Sequence, residues 1–343
     1  MKNKFTVKKI KDFKQYRKFL LTQDYQLYVQ TPEYGEFYKS MGHDYFILGI
    51  YNHSKLVSAS LVLQVRARRG HFYFLPYGPN LDFKDPALLA FFKKSISQYA
   101  KRNKIDFIRI CPFYPSCDTV LENLKQLGFK KSPMHMLAET TWLLDLKPDL
   151  QQLLANMKQN HRNLIRRQQK LEIKVQRSYN VKDIKKVHDL LATTSQRHNF
   201  VPFSLKYLEN EFKCMSKLKL ATIYLGYYQD ELVAAAITFA YGNTMAYKHG
   251  ASNMRYKKIP VSYAIQWQAI QDAKARGCKY YNFWGVAPET APKSHPFYGI
   301  THFKKGFSGR QLDLIPAFDI KISYRYYINL LIEIFRKYKR GFN

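Results

Sequence analysis

Two adjacent lysines, Lys304 and Lys305, stand between Phe303 and Phe307 in a stretch punctuated by Gly299, Gly306 and Gly309. A lysine ammonium held in a closed, aromatic-lined loop can stabilise negative charge developing on an oxygen. The same pair in an open turn would only be solvated. Arg197, in Ser195-Gln196-Arg197-His198, carries a planar fork that suits phosphate. An arginine in such a place can equally be a plain surface residue. Tyr247 and Tyr256 can reach a bound ligand or simply pack. Covalent and metal chemistry find no support. No serine sits in a Gly-x-Ser-x-Gly elbow, and no His, Cys, Asp or Glu cluster has the spacing of a metal site.

Charge points to the kind of partner. The 343 residues include 56 Lys and Arg against 25 Asp and Glu, a formal net charge of +31. Such a field favours anionic partners: nucleic acid, anionic lipid or phosphorylated substrates. A merely solubilising lysine content would look the same. Lys158, Arg162, Arg166 and Lys170 recur at every fourth position, with His161 and Arg167 beside them. On one helix face they repel one another, so the row needs either solvent or an anion.

The elements that must position these residues are legible. A strand through Tyr247, Lys248 and His249 is expected to stop at Gly250. Pro260 and Ser262 open a helix with Tyr263, Trp267 and Ile270 on one face, and Gly277 closes it. Tyr280, Tyr281, Phe283 and Trp284 form a strand ending at Gly285, and Lys304 and Lys305 are expected on a loop. Upstream, a helix over 10–21 and a short one from Thr31-Pro32 precede a three-stranded meander between Tyr45 and Tyr77. Asp85-Pro86 begins a helix burying Leu89, Phe92, Ile96 and Tyr99. A strand over 106–110 and a short helix capped by Asp118 follow. A helix beginning near Asp149 carries the cationic row.

The second half repeats the first. Leu48-Gly49-Ile50-Tyr51 is echoed by Leu225-Gly226-Tyr227-Tyr228, and Tyr77-Gly78 by His249-Gly250. Each half reads strand, strand, strand, helix, strand, so two similar α/β (α+β) subdomains from one duplicated unit are expected. Their ranges are 1–145 and 146–318. A C-terminal amphipathic helix over 319–343 is expected to pack back on the first. Tyr324, Tyr327, Ile328, Leu331, Phe335 and Tyr338 share one face of it; docking on the subdomain and contact with an anionic membrane are both open. The four cysteines show no Cys-x-x-Cys pair and suit a reducing compartment. The first residues lack the apolar core of a signal peptide. No apolar run reaches the ~18 residues of a membrane span. A cytoplasmic protein, peripheral to the membrane at most, is the expectation.

Four signatures in order carry a resemblance: Tyr-x-x-Gly-Ala-Ser from Tyr247, Pro-x-x-Tyr-x-x-Gln-Trp from Pro260, Gly-Cys-Lys-Tyr-Tyr-Asn-Phe-Trp-Gly from Gly277, and Tyr-Gly-x-x-x-Phe-Lys-x-Gly-Phe from Tyr298. Together they resemble the FemABX family of aminoacyl-tRNA-dependent peptidyltransferases, in its members without a coiled-coil arm. The resemblance implies two tandem acetyltransferase-like subdomains, each a mixed sheet flanked by helices. It implies transfer of an amino acid from aminoacyl-tRNA to the stem-peptide amine of a nucleotide- or lipid-linked peptidoglycan precursor, with no cofactor. By the same resemblance Lys304 stabilises developing charge, or the tRNA terminus. Arg197 contacts the precursor's phosphates, as does Lys39 after the aromatic helix, and Tyr247 and Tyr256 face the stem peptide. Some members carry an acid where this chain reads Arg109-Ile110-Cys111-Pro112, and a thiol with its usual pKa of about 8.5 is no substitute for a carboxylate.

Two other readings remain. The fold also suits another N-acyltransferase with a different acyl donor or amine acceptor; coenzyme A as that donor is disfavoured, because a pyrophosphate loop needs free backbone N–H groups at a helix N-terminus. Here that place reads Arg255-Tyr256-Lys257-Lys258-Ile259-Pro260, with no glycine and a proline that lacks an N–H. A non-enzymatic RNA- or membrane-binding protein would explain the charge but not the aromatic, glycine-ruled motif.

Overall fold

The computed structural model describes residues 4–67, 70–198, 202–293, 295 and 297–339, the side chains of residues 169, 195–198, 254 and 339 excepted. The chain forms two compact units. One comprises residues up to Tyr25, Val29–Thr140 and those from Asp313 on; the other comprises Gln26–Tyr28 and Thr141–Leu312. These divisions differ from 145 and 318 because of two strand pairings. Thr140–Asp145 pairs antiparallel with Tyr280–Gly285 in the second unit. Phe318–Lys321 pairs antiparallel with Phe107–Pro112 in the first, so residues 319–321 are strand rather than helix.

The first unit is a seven-stranded mixed sheet in the order Phe5–Lys9, Asp44–Asn52, Lys55–Ala67, Gly70–Tyr77, Phe107–Pro112, Phe318–Lys321, Lys130–Lys131. Helix Pro86–Arg102 makes its crossover. The Asp85 carboxylate accepts from the Ala87 and Leu88 N–H groups, and Pro86 occupies the first turn, where no N–H is needed. Its buried Leu88, Leu89, Phe92, Ile96 and Ala100 join Leu75, Ile108, Ile110 and Phe318 in one core. Each such large side chain contributes roughly 1.5–3 kcal/mol by burial. Asp118 is the first residue of helix Asp118–Gln126 rather than its cap, a place held by Cys117 without a side-chain bond. Cys111 is buried, and burial pushes its thiol well up, so it stays neutral.

The second unit repeats the plan: Lys174–Ser178, Ala221–Tyr228, Glu231–Tyr241, Thr244–Ser252, Tyr280–Gly285, Thr140–Asp145, Arg310–Asp313. Its hairpin turns at Gln229 and Asp230, both with positive φ (49° and 59°), the geometry whose twist matches paired strands. Helix Val261–Ala275 crosses over, burying Val261, Ile265, Ala269 and Ile270 against Tyr281 and Phe283. The helix expected from Asp149 is two, Leu150–Ala155 and Gln159–Lys170. The first ends at Ala155, and Lys158, with an extended ψ of 143°, precedes the second and donates its N–H to the Gly306 carbonyl at 2.9 Å. Lys158, Arg166 and Lys170 are exposed and Arg162 is half-buried with its guanidinium on the Ala155 and Met157 carbonyls, so this row is largely a solvated face.

Candidate active site

A parallel strand pair joined by a crossover helix occurs once in each unit, and the two differ. In the first unit Gly70–Tyr77 stays paired with Phe107–Pro112 over six positions, from Phe72↔Phe107 to Tyr77↔Pro112. In the second, Thr244–Ser252 and Tyr280–Gly285 pair only at Thr244↔Tyr280, Met245↔Tyr281 and Ala246↔Asn282. Both strands run on without facing each other. A closed ladder leaves no backbone group for a ligand, whereas strands that part leave donors and acceptors open between them. The second unit therefore holds the candidate site.

An irregularity flanks the opening on each side. On Thr244–Ser252 the register slips between Ile237↔His249 and Thr238↔Tyr247, so Lys248 is an extra residue. On Tyr280–Gly285 it slips between Asn282↔Leu143 and Gly285↔Thr141, where Trp284 takes a positive φ of 68°. Bulges re-aim side chains, and these two bring the Lys248 Nζ to 4.4 Å from the Trp284 ring centroid. Asn282, fully buried, fixes the second bulge: its Oδ1 accepts from the Trp284 N–H at 2.7 Å and from Thr141 Oγ1 at 2.6 Å.

Lys304 enters at the end of this strand. It lies on helix Tyr298–Lys305, not on the expected loop, and is 7% exposed. Its Nζ donates to the Gly285 carbonyl at 2.6 Å. Burial without an acidic partner lowers its pKa to about 7. Lys305 differs: its ammonium lies 3.6 Å from Glu289 and over the Trp142 ring. The Thr301 hydroxyl accepts from the Ala287 N–H at 2.8 Å and anchors the helix to the strand's exit.

His161, noticed in the sequence only beside the cationic row, is a buried brace for this helix. Its Nε2 lies 3.0 Å from the Phe303 carbonyl, and its ring meets Tyr263 and Phe307 edge-on. Burial lowers its pKa. Gly306 is helical (φ −69°), so the turn does not require glycine; the space does, since a Cβ there would fall 1.9 Å from the His161 ring.

Behind the first bulge, His249 Nε2 lies 2.9 Å from Glu211 Oε2, both buried. Neither stood out in the sequence as a pair, because Glu211 comes from the distant helix Leu205–Ser216. Burial lowers the Lys248 pKa, opposed by Glu211.

The comparisons with known proteins agree with this architecture. The FemAB family model matches residues 12–233 and 226–333. The chain belongs to the FemAB family. It is 20% identical to aminoacyltransferase FemA of Staphylococcus aureus (strain bovine RF122 / ET3-1) over 391 aligned positions, covering 89% of this chain and 93% of the relative. The crystal structure of FemX superposes with a TM-score of 0.83 at 17% identity, over 96% of this chain and all of the other. A tandem GNAT protein from the clavulanic acid biosynthesis pathway gives 0.56 at 8% identity, over 93% and 99%. The tandem acetyltransferase-like fold is therefore that of FemX. Among the described residues no helix exceeds the 17 of Pro86–Arg102, so none forms a coiled-coil arm.

Against this FemAB frame, the residues singled out in the sequence fall in different places. Tyr247 is half-buried and packs on the core that holds Tyr281, Phe283 and Phe303; burial pushes its phenol up to about 12. It explains the Tyr-x-x-Gly motif, because a Cβ on Gly250 would fall 1.7 Å from the Tyr247 hydroxyl. The strand itself continues past Gly250 to Ser252. Tyr256 packs against the same core; its hydroxyl donates to Glu231 at 2.5 Å and its ring meets Tyr228 at the hairpin end. The Glu231 bond raises its pKa. Lys39 is exposed in the last turn of helix Pro32–Ser40, in the first unit. Arg197 falls in helix Ile184–His198, and its side chain lies outside the described residues. Ahead of helix Val261–Ala275, the Val261 N–H donates to Ile259 and the Tyr263 and Ala264 N–H groups to Pro260, so these do not face an anion.

Proposed function

We propose that this protein transfers an amino acid from aminoacyl-tRNA to the stem-peptide amine of a peptidoglycan precursor. The observation that carries the reading is the buried Lys304 at the mouth of the opened strand pair, in a chain of the FemAB family. The precursor amine attacks the ester carbonyl, the amide bond forms, and the ribose hydroxyl leaves with a proton. The ester is already activated, so the protein's task is to align the reactants and stabilise the oxyanion. One of the three Lys304 N–H donors is spent on Gly285. The other two have no acceptor among the described residues and are free for a ligand oxygen. A pKa near 7 lets the side chain carry that charge, or release a proton, close to neutrality.

In this reading Arg197 and Lys39 bind phosphates of the precursor, and Tyr247 and Tyr256 border the stem peptide. The net charge of +31 suits a polyanionic donor and a phosphorylated acceptor. The reaction takes place on the cytoplasmic side of the membrane, where aminoacyl-tRNA is found.

A different acyl donor on the same fold is the second reading, favoured only by the likeness to the tandem GNAT protein. Single-turnover transfer from a labelled, mixed aminoacyl-tRNA pool to nucleotide- and lipid-linked precursors separates the two. RNase-sensitive transfer that is lost in Lys304→Ala supports the proposal, and the product names the amino acid and the acceptor. Transfer that survives RNase, or none to either precursor by folded protein, overturns it.

A further inference from the structure

The C-terminal helix Arg325–Lys339 is turned inside out. Its inward face is polar: Asn329 and Glu333 are buried with Tyr326, and the Glu333 carboxylate accepts from buried Arg109 at 3.0 and 2.8 Å. Its outward face is apolar. Tyr324, Ile328, Leu331, Phe335 and Tyr338 are 73%, 54%, 68%, 69% and 69% exposed. At about 100° per residue these five, with Tyr327 and Ile334, lie within an arc of roughly 120°. Burying Glu333 rather than Leu331 forgoes the usual gain from apolar burial, so the exposed stripe calls for a reason outside the unit's own packing.

The surroundings identify the occupant. Arg325 and Arg336, both exposed, lie along one edge of the stripe. Lys321 and Lys130 lie along the other, their ammonium groups 4.4 and 5.5 Å from the Tyr327 ring. The helix has one acid, Glu333, and it is buried on Arg109. We propose that this face is a membrane-docking surface, on which the helix lies in the plane of an anionic phospholipid leaflet. The apolar stripe sinks into the headgroup–acyl boundary while the flanking cations meet lipid phosphates. A second copy of the chain fits less well, because two identical cation-rimmed stripes would face charge of the same sign. Among the described residues no helix is long and apolar enough to cross a membrane.

Cosedimentation of the whole protein with vesicles of phosphatidylcholine, alone or mixed with phosphatidylglycerol, tests this. Wild type is expected to pellet with the anionic vesicles only, and less as salt rises. Leu331→Asp/Phe335→Asp, at exposed positions, is expected to lose binding about tenfold or more with an unchanged melting temperature. Arg325→Gln/Arg336→Gln is expected to weaken only the anionic preference. Three outcomes overturn the proposal: wild type that stays in solution with anionic vesicles, a double aspartate variant that pellets as well as wild type, or a dimer in sedimentation velocity that this variant disperses.

Discussion

The Lys304 ammonium and the Gly285 carbonyl meet at 2.6 Å where the parallel pair has parted. One comes from helix Tyr298–Lys305 and the other from the last residue of strand Tyr280–Gly285. The bond holds a desolvated cation on backbone oxygen alone. That arrangement is costly for the fold and suited to stabilising a transient negative charge.

The cost is measurable against pH. The folded-state pKa of Lys304, about 7, lies below its ordinary 10.5. Between these values the unfolded chain binds more protons than the folded one, so stability rises with pH across that window. Lys304→Met removes this slope and is more stable than wild type below pH 7, by an amount on the order of a few kcal/mol that shrinks towards pH 10.5. Urea melts of both proteins across the range check it; parallel profiles would mean that Lys304 is not desolvated. The same substitution is expected to slow transfer about 100-fold or more.

Gly306 and His161 make a second test. Gly306→Ala adds no backbone strain at φ −69°, yet its methyl group would run into the His161 ring. A loss of about 1–3 kcal/mol is expected, with transfer reduced because Lys304 lies two residues away. His161→Ala in the same chain makes room and restores part of the stability, a coupling of roughly 0.5–3 kcal/mol in a double-mutant cycle. Additive effects would separate the two residues.

Much of this was legible in the sequence because it rests on local rules. Asp85-Pro86, the aromatic alternation of the meanders and Gly277 announce helix starts, strands and a helix stop through side chains a few residues apart. The repeat showed because both halves obey the same order of elements. The rest depends on contacts far apart in the chain. Gly306 reads as a turn residue until His161, 145 positions earlier, is seen to occupy its side-chain space. Lys304 and Lys305 look alike until burial separates them. Lys248 becomes an extra residue only through a register slip against Glu231–Tyr241, and no propensity encodes that. The amphipathic tail was legible, but not the direction it faces, because Arg109 on a distant strand decides it.

Asn282 offers a test of the bulge. Asn282→Leu leaves the Thr141 hydroxyl and the Trp284 N–H without their shared acceptor. Each buried unsatisfied group costs about 1–3 kcal/mol, so a clear drop in melting temperature is expected together with slower transfer. Trp284→Gly separates the two effects. Glycine accepts φ +68° at no steric cost, so the backbone holds while the ring beside Lys248 is lost. Transfer should then fall by more than stability does. A variant with normal kinetics would remove Trp284 from the site.

Arg109 is fully buried and donates to Asp319 at 2.7 and 2.8 Å as well as to Glu333, tying the C-terminal helix to strand Phe318–Lys321. Taking one partner from such a cluster exposes the remaining charges to a low dielectric. Arg109→Met strands two carboxylates and should cost about 3–5 kcal/mol. Glu333→Gln keeps the shape and leaves the Arg109–Asp319 pair intact, so its loss should be smaller. Both are read from denaturant melts. Limited trypsin digestion adds a local readout: if hydrogen bonds from Arg109 to residue 333 hold the helix with its apolar face outward, cleavage at Arg325 and Arg336 accelerates in Arg109→Met and much less in Glu333→Gln, whose amide oxygen still accepts from Arg109. Equal cleavage in all three proteins would mean that packing at Tyr326 and Asn329 alone sets the helix's orientation.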